Sequence, residues 1–452
     1  MQSRQVDFGG TNVQRNILSV AAPMMAAQIL NLLYNIIDRI YIGKIPGEGT
    51  IALAGLGLCF PVITMVTAFS SLFGAGGAPL CAIARGKNDM EKARDVMNNA
   101  FFMLVATGTL LTVIGLVFRR SILYLFGASD ATYPYASGYM FIYLFGTVFV
   151  MISLGMNPYI NSQGFARIGM KTVVLGAAVN IILDPIFIFV LNMGVKGAAL
   201  ATVISQFISA IWVLCFLTGK QAELKLYFRG FHPDMACICE VMKLGFSTFC
   251  MAFTNSMVQM VCNTMLKTFG GDLYISVMTV INSVREIAQT PVSAISDGAS
   301  PVISYNYGAE KIGQMRRAIR FMTQMGFAYT LFIWGIISVF PEFFIRIFNN
   351  NAELLHAAVP SMHVYFFGFF MMAFQFAGQS VFKSLNRAKQ AIFFSLLRKV
   401  VIVVPLTLLL PRVGELGVTG VFLAEPVSNF IGGLACYVTM RRTVLAKLPA
   451  EK

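Results

Sequence analysis

Twelve apolar runs, each about long enough to cross a lipid bilayer, follow one another along this chain, and no other feature constrains its fold as much. A helix rises about 1.5 Å per residue, so about 20 residues cross the roughly 30 Å of hydrocarbon. Within that layer every backbone N–H and C=O must be satisfied inside the chain, and for runs of this length the helix does so. The runs predict helices over 17–42, 51–84, 96–117, 135–160, 172–191, 195–217, 241–266, 273–305, 319–340, 357–382, 391–410 and 417–440. With 57% apolar and only 12% charged residues, the chain lies well outside the range of water-soluble domains, where about a quarter of residues are charged. The expected fold class is an all-α membrane protein.

Basic residues fix the expected orientation. Alternate loops on one side, together with both termini, hold most of the 34 Lys and Arg, which makes that side cytoplasmic by the positive-inside rule. Both ends then face the cytosol in a multi-pass plasma (inner) membrane protein. The net charge of +14 is a consequence of that topology and calls for no nucleic-acid partner. The Arg316, Arg317 and Arg320 cluster reads as an anchor to anionic lipid headgroups. The polar N-terminus leads directly into a span too long for the apolar core of a signal peptide, so the first helix is expected to remain. Eight scattered cysteines have neither disulfide-framework nor zinc spacing.

The chain repeats itself. GVKGAALATVIS, from Gly194, recurs as GVTGVFLAEPVS, from Gly417, and Gly76, Pro79 and Gly86 are echoed by Gly298, Pro301 and Gly308. The organisation expected is an N-lobe over 1–219, a cytoplasmic linker over 220–236 and a C-lobe over 237–452. Six spans per lobe make the repeats parallel, with a pathway between them.

Acids inside the spans carry the functional signal. A carboxylate at bilayer depth costs roughly 2.5 to 3.5 kcal/mol on insertion scales, so it persists where it meets a cation, a proton or water. On the first helix Gln28, Asn31, Asn35 and Asp38 share one face, with Tyr34 and Tyr41 alongside. On the fifth, Asn180 and Asp184 are one turn apart; on the sixth, Thr202, Gln206 and Ser209 form a stripe. Two carboxylates, an amide and a hydroxyl suit a hard cation such as Na⁺, held by Asp38, Asn180, Asp184 and Thr202; the same two acids, partly desolvated, could instead carry a proton. Pro23 and Pro185 interrupt the backbone ladder of their helices and are candidate hinges. The second half has no twin of this constellation. It carries Arg285, Glu286, Asp297, Arg398 and, at the repeat position of Thr202, Glu425. Arg285 and Glu286 point about 100° apart and should not pair, whereas Arg398 with Glu425 is a plausible ion pair. Gln28, Asn31, Tyr34, Asn35, Gln206, Glu286, Arg398 and Glu425 are the candidates for lining a substrate cavity. His363, alone in its span, reads as a helix-packing residue.

Ala22-Pro23 with YNIIDRIYIG, NIILDPIFIF with GVKGAALATVIS, ISYNYGA at 303–309 and FLAEPVSN at 422–429 together resemble the multidrug and toxic compound extrusion (MATE) family over nearly the whole chain. The resemblance implies twelve helices in two six-helix lobes, alternating access, and export of cationic organic compounds in exchange for H⁺ or Na⁺. No other cofactor is expected, and the chain is expected to work as a monomer among membrane lipids on small cationic amphipathic substrates. It places Asp38, Asn180, Asp184 and Thr202 in an N-lobe cation site, adds Asn157 to it, and assigns bending to Pro23. Glu425 and Asn429 depart from the family's commoner Gln and Asp. A lipid-linked oligosaccharide flippase of the same superfamily is the alternative, kept open by Arg285 and Arg398, since a pyrophosphate-bearing lipid wants a basic cavity. An intramembrane enzyme would need an HExxH, a GxSxG elbow or a histidine cluster, and the three histidines are far apart.

Overall fold

The structure is a computed structural model that describes residues 5–45, 49–126, 128–227, 232–348, 352–414 and 416–447. Among these residues there are helices and no strands. The first six are α1 (Val13–Gly43), α2 (Gly49–Gly86), α3 (Met90–Leu125), α4 (Tyr133–Ser162), α5 (Ala166–Val190) and α6 (Val195–Thr218). They are followed by α7 (Met235–Gly271), α8 (272–308), α9 (Ile312–Val339), α10 (Ala352–Ser384), α11 (Ala388–Arg412) and α12 (Gly417–Lys447). Eleven of them are long and apolar enough to cross a membrane. The exception, α8, carries Arg285, Glu286 and Asp297. It continues from α7 through a break at Gly271, whose φ of 71° belongs to the left-handed region that glycine enters without strain.

The helices overrun the apolar runs because a helix, once nucleated, propagates into the polar loops until a cap stops it. Thus α3 starts six residues earlier than its apolar run, where Asp89 accepts a hydrogen bond from the Lys92 N–H at 3.0 Å.

The repeated motif has one structural meaning in both halves. A Cβ on Gly197 would lie 2.7 Å from the Phe187 backbone at the end of α5, and one on Gly420 would lie 2.7 Å from the Leu410 backbone near the end of α11. Glycine at these two places lets each half's sixth helix press against the last turn of its fifth. The Gly74–Ala78 stretch likewise serves close packing: a Cβ on Gly74 would lie 2.7 Å from the Gly155 carbonyl oxygen on α4. One turn away, Tyr159 donates its hydroxyl hydrogen to the Phe73 carbonyl at 2.8 Å.

The chain divides into two compact units, one formed by Met1–Asp7 and Ala26–Gly245, the other by Phe8–Met25 and Phe246–Lys452. The sequence places a single boundary in the linker; the compact units change hands at 7/8, 25/26 and 245/246. The first half of α1 therefore belongs with the C-terminal helices. There Asn306 donates to the Phe8 carbonyl at 2.8 Å, and Ala21 packs against Gly298. Residues 5–7 stay with the N-terminal unit through the Val6 N–H bond to the Gly164 carbonyl at 3.0 Å.

The linker is not a free tether in its first part. The buried Arg85 forms an ion pair with the exposed Glu223, the Leu224 N–H donates to Gln163 at 2.9 Å, and Tyr227 donates its hydroxyl hydrogen to Asp95 at 2.8 Å. Residues 228–231, the middle of the expected linker, lie outside the described residues.

Candidate functional site

In the N-terminal unit, α5 and α6 run antiparallel, and their register is set by small residues. Ser209 donates to the Thr172 carbonyl at 3.3 Å and also packs on Gly176, while Gly197 meets Phe187 at the other end. That register puts Thr202 level with the turn from Asn180 to Asp184. All three are withdrawn from solvent, Asp184 completely, Asn180 to 1% and Thr202 to 8% exposure. Asn180 donates its amide N–H to Asp184 Oδ1 at 3.3 Å.

The second half of α1 brings Asp38 to this point. Tyr41 on α1 makes an edge-to-face contact with Phe189 on α5, with ring centroids 6.3 Å apart. Three residues earlier on α1, the Asp38 carboxyl lies within hydrogen-bonding reach of the Asp184 carboxyl. No Lys or Arg among the described residues pairs with Asp184, and its Oδ2 meets no N–H or O–H donor among them. The side-chain oxygens of Asn180 and Gln206 are also buried acceptors without a donor. Two carboxylates this close and largely withdrawn from water repel each other as bare anions, and a proton or a cation would relieve that repulsion. The geometry therefore defines a small acidic site with several oxygen acceptors turned into the protein.

Aromatic hydroxyls surround it. Tyr34 lies within electrostatic reach of Asp38 and Asp184, and Tyr139 of Asp38. Tyr139 stacks on Tyr143, one turn along α4, with centroids 6.1 Å apart. Reading the sequence alone missed Tyr139 and Tyr143; their one-turn spacing on an apolar helix was the available signal. Gln28, Tyr34 and Asn35 are half-buried and Asn31 is exposed, with Asn35 donating to the Asn31 carbonyl at 2.7 Å inside its own helix.

Asn157 does not join the acids. Its amide donates to the Gly169 carbonyl at 3.0 Å, in the first turn of α5. Gly169 precedes Asp184 by 15 residues, about 22 Å along a helix, so Asn157 ties α4 to the opposite end of α5. Resemblance in sequence gave its helix and could not give its level. Pro185 lacks the N–H that would bond the Ile181 carbonyl, and the helix widens at once into a π turn over Ile186–Val190. Pro23 is buried in α1, two residues before the chain passes from one compact unit to the other.

The C-terminal unit holds a second polar cluster of opposite character. Glu425, on α12, receives Arg398 at 2.5 Å, Lys399 at 3.3 Å and Arg285 at 3.6 Å. Arg398 also donates to Asn429 at 2.8 Å. The expected Arg398–Glu425 pair is present, joined by Arg285 and by Lys399, which sequence reading overlooked although it stands beside Arg398 in an apolar run. Glu286 is exposed on α8 and turned away from this cluster, as its 100° offset from Arg285 requires. His363 has its Nε2 2.9 Å from the Ser338 carbonyl oxygen, tying α10 to the end of α9.

A helical protein of this length, with spans of membrane-crossing size and buried acids inside them, is a polytopic membrane protein with the architecture of a transporter. The family model described as MatE matches residues 23–186 and 248–409, one stretch in each half, and the chain belongs to that family, whose members are transporters and not enzymes. It is 24% identical over 441 residues to a "Multidrug export protein MepA" of Staphylococcus haemolyticus, covering 97% of each chain. Its fold matches a solved structure described as the outward-facing conformation of a multidrug resistance MATE family transporter, at 21% identity and a TM-score of 0.92 over 99% of each chain. Equally similar, with the same identity, TM-score and coverage, is a MOP superfamily transporter from Pyrococcus furiosus described by the reverse polarity of its binding pocket.

Proposed function

We propose that this chain is a secondary active multidrug exporter that expels cationic amphipathic compounds in exchange for H⁺ or Na⁺. The observation that carries the reading is the meeting of the Asp38 and Asp184 carboxyls in a buried site with spare oxygen acceptors. Asp184, Asn180 and Thr202 with Asp38 supply the oxygen donors that Na⁺ takes, and the two acids alone suffice to hold a proton. Entry of either neutralises the acids and weakens their attraction for an organic cation. That difference in binding between two conformations is what coupling requires. Relatives named as multidrug export proteins across almost the whole chain support the same direction.

The remaining parts follow from that reading. Alternating access needs a bend, and Pro23 and Pro185 are where the helical ladders are already interrupted. The single chain contains the acids, the basic cluster and both units, so one monomer in lipid is the working unit. The basic residues of the loops at Arg85–Arg94 and Lys311–Arg320 and of the C-terminus orient both termini to the cytosol of the plasma membrane.

The test is efflux of a fluorescent organic cation from proteoliposomes under separately imposed pH and Na⁺ gradients, with Asp38→Asn and Asp184→Asn. One gradient should drive efflux in the wild type and neither should in the variants. Wild-type rates in both variants would remove the acids from the mechanism. Efflux of a pyrophosphate lipid in place of the dye would instead favour the flippase alternative.

A further inference from the structure

The charge in the C-terminal cluster does not balance. Arg285, Arg398 and Lys399 surround one carboxylate, Glu425, so three positive groups share one negative and the formal excess is +2. All four are well buried, with side chains between 6% and 20% exposed. An excess charge removed from water is costly unless a counter-charge meets it. The neighbouring polar groups are neutral: Asn429 accepts from Arg398, and Asn282 donates to Gln259 at 2.9 Å. Donors are also left over, because the Nε–H groups of Arg285 and Arg398 are buried and meet no acceptor among the described residues. The cluster opens on a small cavity of about 20 Å³, lined by Arg285, Lys399 and Glu425 with Asn255, Gln259 and Tyr365. Such a volume admits one particle of about the size of a water molecule.

We infer that the C-terminal unit holds a binding site for one small anionic group, framed by Arg285, Lys399 and Arg398 and attenuated by Glu425. The cavity suits a halide ion, or a single carboxylate or phosphate oxygen projecting from an amphipathic compound. Guanidinium and ammonium donors serve either source. Glu425 faces the same cavity and holds affinity down, as a site that must release its ligand requires. The inference stands apart from cation exchange at Asp38 and Asp184, because it concerns other helices and is read by binding, without transport.

The experiment uses the purified full-length protein in uncharged detergent, titrated calorimetrically with chloride against gluconate at constant ionic strength. Wild type should bind chloride saturably. Lys399→Gln should weaken it by about tenfold or more, Lys399→Arg should largely restore it, and Glu425→Gln should tighten it severalfold. The opposite signs separate an anion site from a structural ion-pair network, in which both substitutions would act alike. If a variant fails to run as a single species on gel filtration, the wild-type titration decides alone. Dodecanoate and dodecylphosphate are then competed against bound chloride, with dodecyltrimethylammonium as control. Displacement by the anionic amphiphiles only assigns the site to a substrate headgroup; no displacement assigns it to the inorganic ion. Absence of saturable anion binding to the wild type, or changes of the same sign in Lys399→Gln and Glu425→Gln, would overturn the inference.

Discussion

The two halves repeat one helical plan and put opposite charge into it. The GVKG and GVTG motifs start at Gly194 and Gly417, 223 residues apart, and the matching contacts of Gly197 with Phe187 and of Gly420 with Leu410 keep that offset in three dimensions. At the same offset Asp184 corresponds to Thr407, and Thr202 to Glu425. The acid and the threonine have exchanged helices between the repeats. Gly176, which packs on Ser209, corresponds to Lys399, and Leu175 to Arg398, so the second half also gains two bases on its fifth helix. The lesson is that the backbone packing of the repeat was kept by a few glycines while the polar lining was free to change. One half then carries two acids in mutual reach, and the other carries an acid enclosed by bases.

The sharpest way to break this contrast is to remove one member of the enclosed group. Arg398→Leu leaves Glu425 with Lys399 and Arg285 only and removes the donor to Asn429, so the expected cost is that of the lost hydrogen bonds to a charged group, about 2 to 3 kcal/mol, measured as loss of thermal stability in detergent. If stability is unchanged, the bases do not hold the C-terminal unit together. In the acidic half the expected effect is reversed. Asp184→Asn removes a crowded charge, so the protein should stay folded with a stability change under about 1 kcal/mol, while gradient-driven efflux falls at least about tenfold. A protein that instead unfolds would show the acids to be structural.

Smaller changes sharpen the boundary of the acidic site. Tyr34→Phe removes a hydroxyl beside Asp38 and Asp184 and should slow coupled efflux by about twofold to fivefold, a hydrogen-bond-sized effect near 0.5 to 1 kcal/mol. A wild-type rate would place Tyr34 outside the exchange. Asn157→Ala should lower stability by about 1 kcal/mol through loss of the bond to Gly169, with ion dependence unaltered. A changed ion dependence would return Asn157 to the acids.

Much of this could be read before any coordinates. Long apolar runs dictate helices because a bilayer offers the backbone no hydrogen-bond partner, and the one-turn spacing of Asn180 and Asp184 already placed both on one face. The Arg398–Glu425 pair was legible for the same reason, since a buried acid and base in one repeat have few alternatives to each other. Less was legible where the information lay in helix level and helix neighbours. Asn157 is on the right helix at the wrong height; Lys399 sits beside a residue already singled out yet gains its meaning from Glu425 on another helix.

The sequence by itself determined the class of fold, the duplication and the two acids, because all three are written in local composition and periodicity. Tertiary structure alone decided that α1 serves both compact units, that Asp38 reaches Asp184 across 146 positions of chain, and that three bases gather on one glutamate. Those outcomes depend on which helix faces meet and at what register, and register is set by sparse contacts such as Ser209 on Thr172 and Gly420 on Leu410, which no local pattern announces.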